Sequence, residues 1–267
     1  MAAAADRSNL AELAGRLRDL HIPGRPLLLP NAWDAASARA VENAGFAAVA
    51  TASSSISTSL GYEDEQRTPP DEMFAAIGRI ARAVSVPVTA DIEAGYGLPP
   101  EEVVERLLSS GAAGCNLEDT DHARGGLVDS GTQSERIAAV RAAATRAGVP
   151  IVINARIDVY LHGPDDPEGR IMEALRRGGS YLGAGADCVY PIMAGDEDAI
   201  TAFVRGLRGM VNVYAHPQAL PLPRLAALGV ARVSFGPWLH RLAMREAEAV
   251  LRDIASGRDP YEPRRPL

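Results

Sequence analysis

Val86-Pro87-Val88-Thr89-Ala90-Asp91-Ile92-Glu93-Ala94-Gly95-Tyr96-Gly97 is an apolar strand signal that runs into two acids and ends in two glycines. A strand has a side-chain period of two, so the pattern predicts that Asp91 and Glu93 point to one face. Two adjacent carboxylates repel each other unless a cation or a proton lies between them. Hard oxygen donors at a strand end, beside a flexible glycine turn, suit Mg²⁺. A metal-assisted enzyme is therefore the first expectation.

Outward from that stretch the same unit recurs. Short apolar runs at 27–30, 47–52, 86–91, 114–118, 151–155, 187–191, 211–215 and 232–235 read as strands. Helical patterns at 71–84, 99–110, 132–147, 167–182, 196–207, 220–228 and 237–256 lie between and after them, and 10–20 precedes the first strand. The clearest is 71–84, where Met73, Phe74, Ile77, Ile80, Ala81 and Val84 share one face and Asp71 is placed to cap after Pro69-Pro70. Gly45, Gly111, Gly148, Gly185 and Gly229 fall just after helices, where a left-handed residue is favoured. Eight strands alternating with helices predict a (β/α)₈ TIM barrel over residues 1–256, with 257–267 as an extended tail. An open doubly wound sheet is the structural alternative. It would ordinarily show a glycine-rich phosphate loop after its first strand, and Pro30-Asn31-Ala32-Trp33-Asp34 is not one.

Composition narrows the classes. The 267 residues are 47% hydrophobic and 23% charged, as in an ordinary globular protein, with a formal net charge of −7. A nucleic-acid binder would usually carry a basic face, so no nucleic-acid partner is expected. All 27 basic residues are arginine. Without lysine there is no Schiff-base aldolase, pyridoxal-phosphate enzyme or P-loop nucleotidase. Cys115 and Cys188 make no disulfide framework and read as small buried hydrophobes in a reducing compartment. The first nine residues lack a basic n-region and a sufficient apolar h-region. No stretch approaches the roughly 18 apolar residues of a membrane span. A cytoplasmic protein with no membrane partner is the expectation.

In such a barrel the chemistry lies at the carboxyl ends of the strands. The polar residues there are Ser53, Ser54 and Ser55, then Asp91 and Glu93, Glu118 and Asp119, Arg156 and Asp158, and Asn212 and His216. Three acids on adjacent strands facing one arginine form a Mg²⁺–oxyanion arrangement, with Arg156 holding a carboxylate or phosphonate in bidentate fashion. The plainer alternatives are an internal Arg156–Glu118 salt bridge and serines that merely form a turn.

At these residues the chain resembles the isocitrate lyase/phosphoenolpyruvate mutase superfamily. The resemblance runs from Leu28 to the helix near Leu251. It rests on Pro30-Asn31-Ala32-Trp33-Asp34, Ala44-Gly45-Phe46, Ser59-Leu60-Gly61-Tyr62-Glu63-Asp64, the stretch from Asp91 to Gly97, Asn116-Leu117-Glu118-Asp119 and Asn154-Ala155-Arg156-Ile157-Asp158. It implies that Asp91 binds Mg²⁺ directly, with Mn²⁺ as a substitute, and that Glu93 and Glu118 reach the ion through water. Glu93 stands where the family more often has aspartate. Arg156 would hold the substrate and the enolate charge, and amides near Ser53 and Ser54 would receive the substrate carboxylate. Asp64 would face the reacting centre as the base, and Asn212 would touch the substrate. The last helix, opened by Pro237-Trp238-Leu239, would be swapped between subunits of a homodimer or homotetramer.

One departure bears on the activity. Lyases of the superfamily carry a Lys-Lys/Arg-Cys-Gly-His segment whose cysteine protonates the leaving enolate, and mutases place a lysine and an asparagine in the same loop. Residues 119–129 have no cysteine, lysine or asparagine; His122 and Arg124 are the candidate replacements. The implied function is a Mg-dependent lyase that cleaves a C–C bond of a 2-oxo acid or 2-hydroxy diacid through a metal-stabilised enolate. Alternatives on the same site are oxaloacetate decarboxylation or hydrolysis and phosphonopyruvate P–C cleavage; a non-catalytic dicarboxylate-binding protein is the alternative of another class.

Overall fold

The computed structural model describes residues 2–261. Helix α1 (Ala2–Asp19) comes first and buries Leu10, Ala14 and Leu17. Arg18 near its end donates to Asp187 at 2.8 Å and to the Pro150 carbonyl at 2.7 Å, so α1 lies across the amino ends of the strands. The ring of strands follows: β1 (Leu27–Leu29), β2 (Asn31–Ala32), β3 (Val49–Thr51), β4 (Val88–Asp91), β5 (Gly114–Glu118), β6 (Val152–Ile157), β7 (Cys188–Pro191), β8 (Asn212–Tyr214) and β9 (Arg232–Ser234). All named pairs are parallel, in the orders β2-β3-β4-β5-β6-β7 and β1-β9-β8. A bridge between Val189 and Val211 joins β7 to the β8 edge. Because β1 and β2 are two halves of one strand, the ring closes as an eight-stranded barrel and the open-sheet alternative is excluded.

The first strand breaks at Pro30, which has no N–H for a ladder. The Asn31 side chain repairs the joint. Its Nδ2 donates to the Thr51 carbonyl at 2.8 Å, and its Oδ1 accepts from the amides of Phe235 and Gly236 at 2.8 and 2.9 Å. One amide thus ties the first, second and last strands together at the carboxyl rim.

The outer helices are α2 (Ala35–Asn43), α3 (Ser53–Leu60), α4 (Pro70–Ala81), α5 (Pro100–Ser110), α6 (Ser130–Arg146), α7 (Val159–His162), α8 (Pro167–Gly183), α9 (Glu197–Gly206), α10 (Leu222–Leu228) and α11 (Trp238–Ala255). Helix α4 buries Met73, Phe74, Ile77 and Ile80 on the expected face. Its N-cap is Pro69 rather than Asp71. Asp71 sits in the first turn and pairs with Arg106 at 2.5 Å, where a negative charge also meets the positive helix end. Helix α1 starts well before Leu10, and α2, α3 and α7 were not anticipated as elements. Residues Ser53 to Ser55 open a helix instead of forming a loop. Of the expected tail, residues 257 and 260–261 lie in turns, while 262–267 lie outside the described residues.

Helix α11 differs from the others. His240 is its buried residue, whereas Leu242, Met244, Leu251 and Ile254 are 45%, 48%, 63% and 54% exposed.

Candidate metal and anion site at the strand ends

Strand β4 delivers Asp91 to the carboxyl rim. Its Oδ2 accepts from the Ser53 amide at 3.2 Å and the Ser53 hydroxyl at 2.9 Å, and its own amide donates to Thr51 Oγ1 at 2.8 Å. Its Oδ1 is buried with no hydrogen-bond partner among the described residues. The Ser53 amide, expected to meet a substrate carboxylate, is turned to Asp91 instead.

Glu93 is not on the strand. It occupies a turn with φ +51°, in the region that favours glycine, so the pleat does not bring it beside Asp91. The turn through Gly95 does. Glu93 is 3% exposed and accepts from the Gln66 amide at 2.6 Å and the Tyr96 hydroxyl at 2.9 Å. Burial, followed by the charges of Asp64, Asp91 and Glu118, pushes its pKa up to about 7.

Glu118 ends β5 and is 2% exposed. One oxygen lies 2.6 Å from His122 Nε2 and the other 2.6 Å from Arg156 Nη1. Burial holds its pKa above the usual carboxylate range, against the opposing pull of Arg156. The bond to Glu118 raises the pKa of His122. Arg156, on β6, also contacts Asp158 through Nε at 2.6 Å and Nη2 at 3.1 Å. Burial alone would lower the pKa of its guanidinium, but Glu118 and Asp158 outweigh that and raise it. The internal Arg156–Glu118 pair is therefore real, and it sits within the cluster.

A polar chain that the sequence did not disclose holds Arg156 from behind. Asp158, fully buried, accepts from the Thr120 hydroxyl, and its amide donates to Asp119 Oδ1 at 2.8 Å. The other Asp119 oxygen accepts from Arg177 Nη1 at 2.9 Å and the Tyr181 hydroxyl at 2.7 Å. Arg177 and Tyr181 stand four residues apart on α8, one turn of helix. Only that spacing could have signalled a shared role.

The remaining expected residues are placed as follows. Asp64 lies exposed on the loop after α3, its carboxyl pKa raised by burial of its inner side and by the Asp91 charge. Ser54 follows Ser53 in the first turn of α3, half-buried. Asn212 is fully buried on β8 and bonds to Ser234 at 3.1 Å. Arg124 is exposed, its amide held by Asp121. His216 pairs with Gln218.

Asp91, Glu93, Glu118 and Asp158 thus crowd around one permanent cation, Arg156. Ligand atoms of Glu93, Glu118 and His122 lie within 4.8 Å of one another. The partnerless Asp91 oxygen, the elevated Glu93 and this donor set all fit a hard divalent cation.

A closed parallel barrel with carboxylates from successive strands and an arginine at its carboxyl rim defines the general class. The profile of the family described as phosphoenolpyruvate phosphomutase matches residues 17–255. The chain belongs to this family, within the isocitrate lyase/PEP mutase superfamily of lyases and mutases. It is similar to a provisionally named phosphonomutase of Burkholderia cenocepacia J2315, with 40% identity, TM-score 0.86, and 90% of this chain and 99% of that one covered. It is 33% identical to an uncharacterized protein of Mycobacterium tuberculosis strain H37Rv over 90% of this chain and 88% of that one. A provisionally named 2-methylisocitrate lyase 2 of Corynebacterium glutamicum is 31% identical over 85% of this chain and 76% of that one.

Proposed function

We propose that the protein is a Mg²⁺-dependent lyase that cleaves a C–C bond of a 2-oxo acid or 2-hydroxy diacid by way of an enolate. The observation that carries this reading is the excess of buried carboxylate at Asp91, Glu93 and Glu118, beside a single pinned guanidinium. Asp91 would hold the ion directly, with Glu93 and Glu118 in its outer shell and Mn²⁺ able to substitute. When bound, the cation supplies positive charge to the substrate's oxygens.

The chain's own residues do the rest. Arg156, fixed by Asp158, meets negative charge as it develops and needs no reorganisation to do so. Asp64, with its raised pKa, accepts the proton of a substrate hydroxyl. The first turn of α3, at Ser53 and Ser54, borders the place for the substrate carboxylate, and Asn212 faces the barrel interior below. Cys115 cannot return the proton to the enolate: it is fully buried and its thiol is pushed up to about 12. His122, bonded to Glu118, is a protic side chain in the loop where lyases of the superfamily carry their cysteine.

The phosphonomutase relative favours a second reading, phosphonopyruvate P–C cleavage on the same site. The apolar side chains exposed along α11 support a homodimer or homotetramer in which that helix is covered by another subunit. The test is product detection by NMR with 2-methylisocitrate, oxaloacetate and phosphonopyruvate. Pyruvate release from 2-methylisocitrate, lost with EDTA and with Arg156→Ala, is the expected result. Turnover that survives either change refutes the proposal.

A further inference from the structure

A cavity of about 660 Å³ opens beside the acid cluster, within the size range of small-molecule pockets. Its wall is shared with the cluster. Gln66 and Tyr96, which hold Glu93, and His122, which holds Glu118, all line it. Two guanidiniums also line it, Arg136 from α6 and Arg67 from the loop before α4. Neither makes a hydrogen bond or ion pair among the described residues.

Arg136 is the informative one. Its Nη2 lies 2.7 Å from where a Cβ on Gly95 would stand, so it packs on a backbone that only glycine leaves open at φ +78°. It is half-buried, and burial alone shifts its pKa, downward, with no acid opposing the shift. A guanidinium withdrawn from water without a partner is costly unless something else supplies the counter-charge. The two acids in the cavity wall do not supply it. Asp121 turns Oδ1 to the amides of Ala123 and Arg124 at 3.1 and 3.0 Å, and Glu65 is exposed.

We infer that this cavity is a subsite for a second anionic group of the substrate, with Arg136 as its principal contact and Arg67 at its mouth. The inference rests on the reading of the acid cluster as a cation and 2-oxo-acid site, and it narrows the substrate. The molecule has a chelating 2-oxo or 2-hydroxy acid head and an arm several bonds long that ends in a carboxylate or phosphate. Arg136 is then a specificity-determining residue, since guanidinium recognises either group through two parallel N–H donors.

The experiment is isothermal titration in Mg²⁺ buffer with three probes. Oxalate supplies the head alone, 2-oxohexanoate adds an uncharged arm, and 2-oxoadipate carries the same arm with a terminal carboxylate. The expected result is that 2-oxoadipate binds at least tenfold tighter than 2-oxohexanoate. Arg136→Gln should collapse that ratio to near one, and Arg136→Lys should restore part of it. A ratio near one in the unaltered protein, with oxalate bound, overturns the subsite and leaves the head-group reading standing. A tenfold ratio that persists in Arg136→Gln also overturns it. Absence of oxalate binding overturns the underlying reading and the subsite with it.

Discussion

Replacing Glu93 by glutamine should make the metal-free protein more stable at alkaline pH. Glu93 titrates at about 7 in the folded chain, against an ordinary value of 4.5. Between those pH values the folded state keeps a proton that the unfolded state has lost. Its contribution to stability therefore falls as pH rises from 4.5 to 7, and above 7 the ionised carboxylate costs the fold about 3 kcal/mol. Glutamine removes that charge but keeps one oxygen for the two donors, Gln66 N–H and Tyr96 O–H, and so forfeits about 1 kcal/mol. The net gain expected at pH 8 is about 2 kcal/mol, vanishing or reversing near pH 4.5. Urea denaturation of chelator-treated protein, followed by circular dichroism at both pH values, measures it. Added Mg²⁺ should stabilise the unaltered protein at pH 8 and the variant much less. A variant that is less stable at pH 8, or a difference independent of pH, refutes the account of Glu93 as a carboxylate held against its neighbours.

Three further outcomes are expected. Arg156→Ala leaves Glu118 and Asp158 buried without their counter-charge and should cost about 3–5 kcal/mol in denaturant midpoint experiments, with part recovered when Glu118→Gln is added. Tyr181→Phe removes one donor to Asp119 while Arg177 stays, and about 1–3 kcal/mol should be lost in the same assay. Light scattering should return a mass of two or four 28.1 kDa chains, falling toward one when Leu251 and Ile254 on α11 are both changed to glutamate.

The barrel was legible because its strands are short apolar runs bounded by glycines, and because helices such as α4 carry a clean apolar face. Elements without such a face escaped notice. Helix α2 buries only Ala38 and Val41, and α3 is a serine-rich run whose composition reads as a turn. The site was legible in its residues more than in its geometry. Asp91, Glu93, Glu118 and Arg156 do come together, yet strand period was the wrong reason for Glu93, which arrives through a left-handed turn. Contacts far apart in sequence left no local trace. Asp119 reaches Arg177 across 58 residues, and even the four-residue bond of His122 to Glu118 lies in a loop where no periodicity announces it. Nothing in the sequence singles out Arg136; the cavity beside Gly95 gives it its setting.

The lopsided charge at the rim, four acids against Arg156, has a thermodynamic corollary. An organic anion meets a repulsive mouth when no countercharge is present, whereas a divalent ion is drawn in. Whatever factor the ion adds to the anion's affinity, the anion must return to the ion in full, because the two bindings close a cycle. Titrating either species at fixed levels of the other should therefore trace one and the same cooperativity constant.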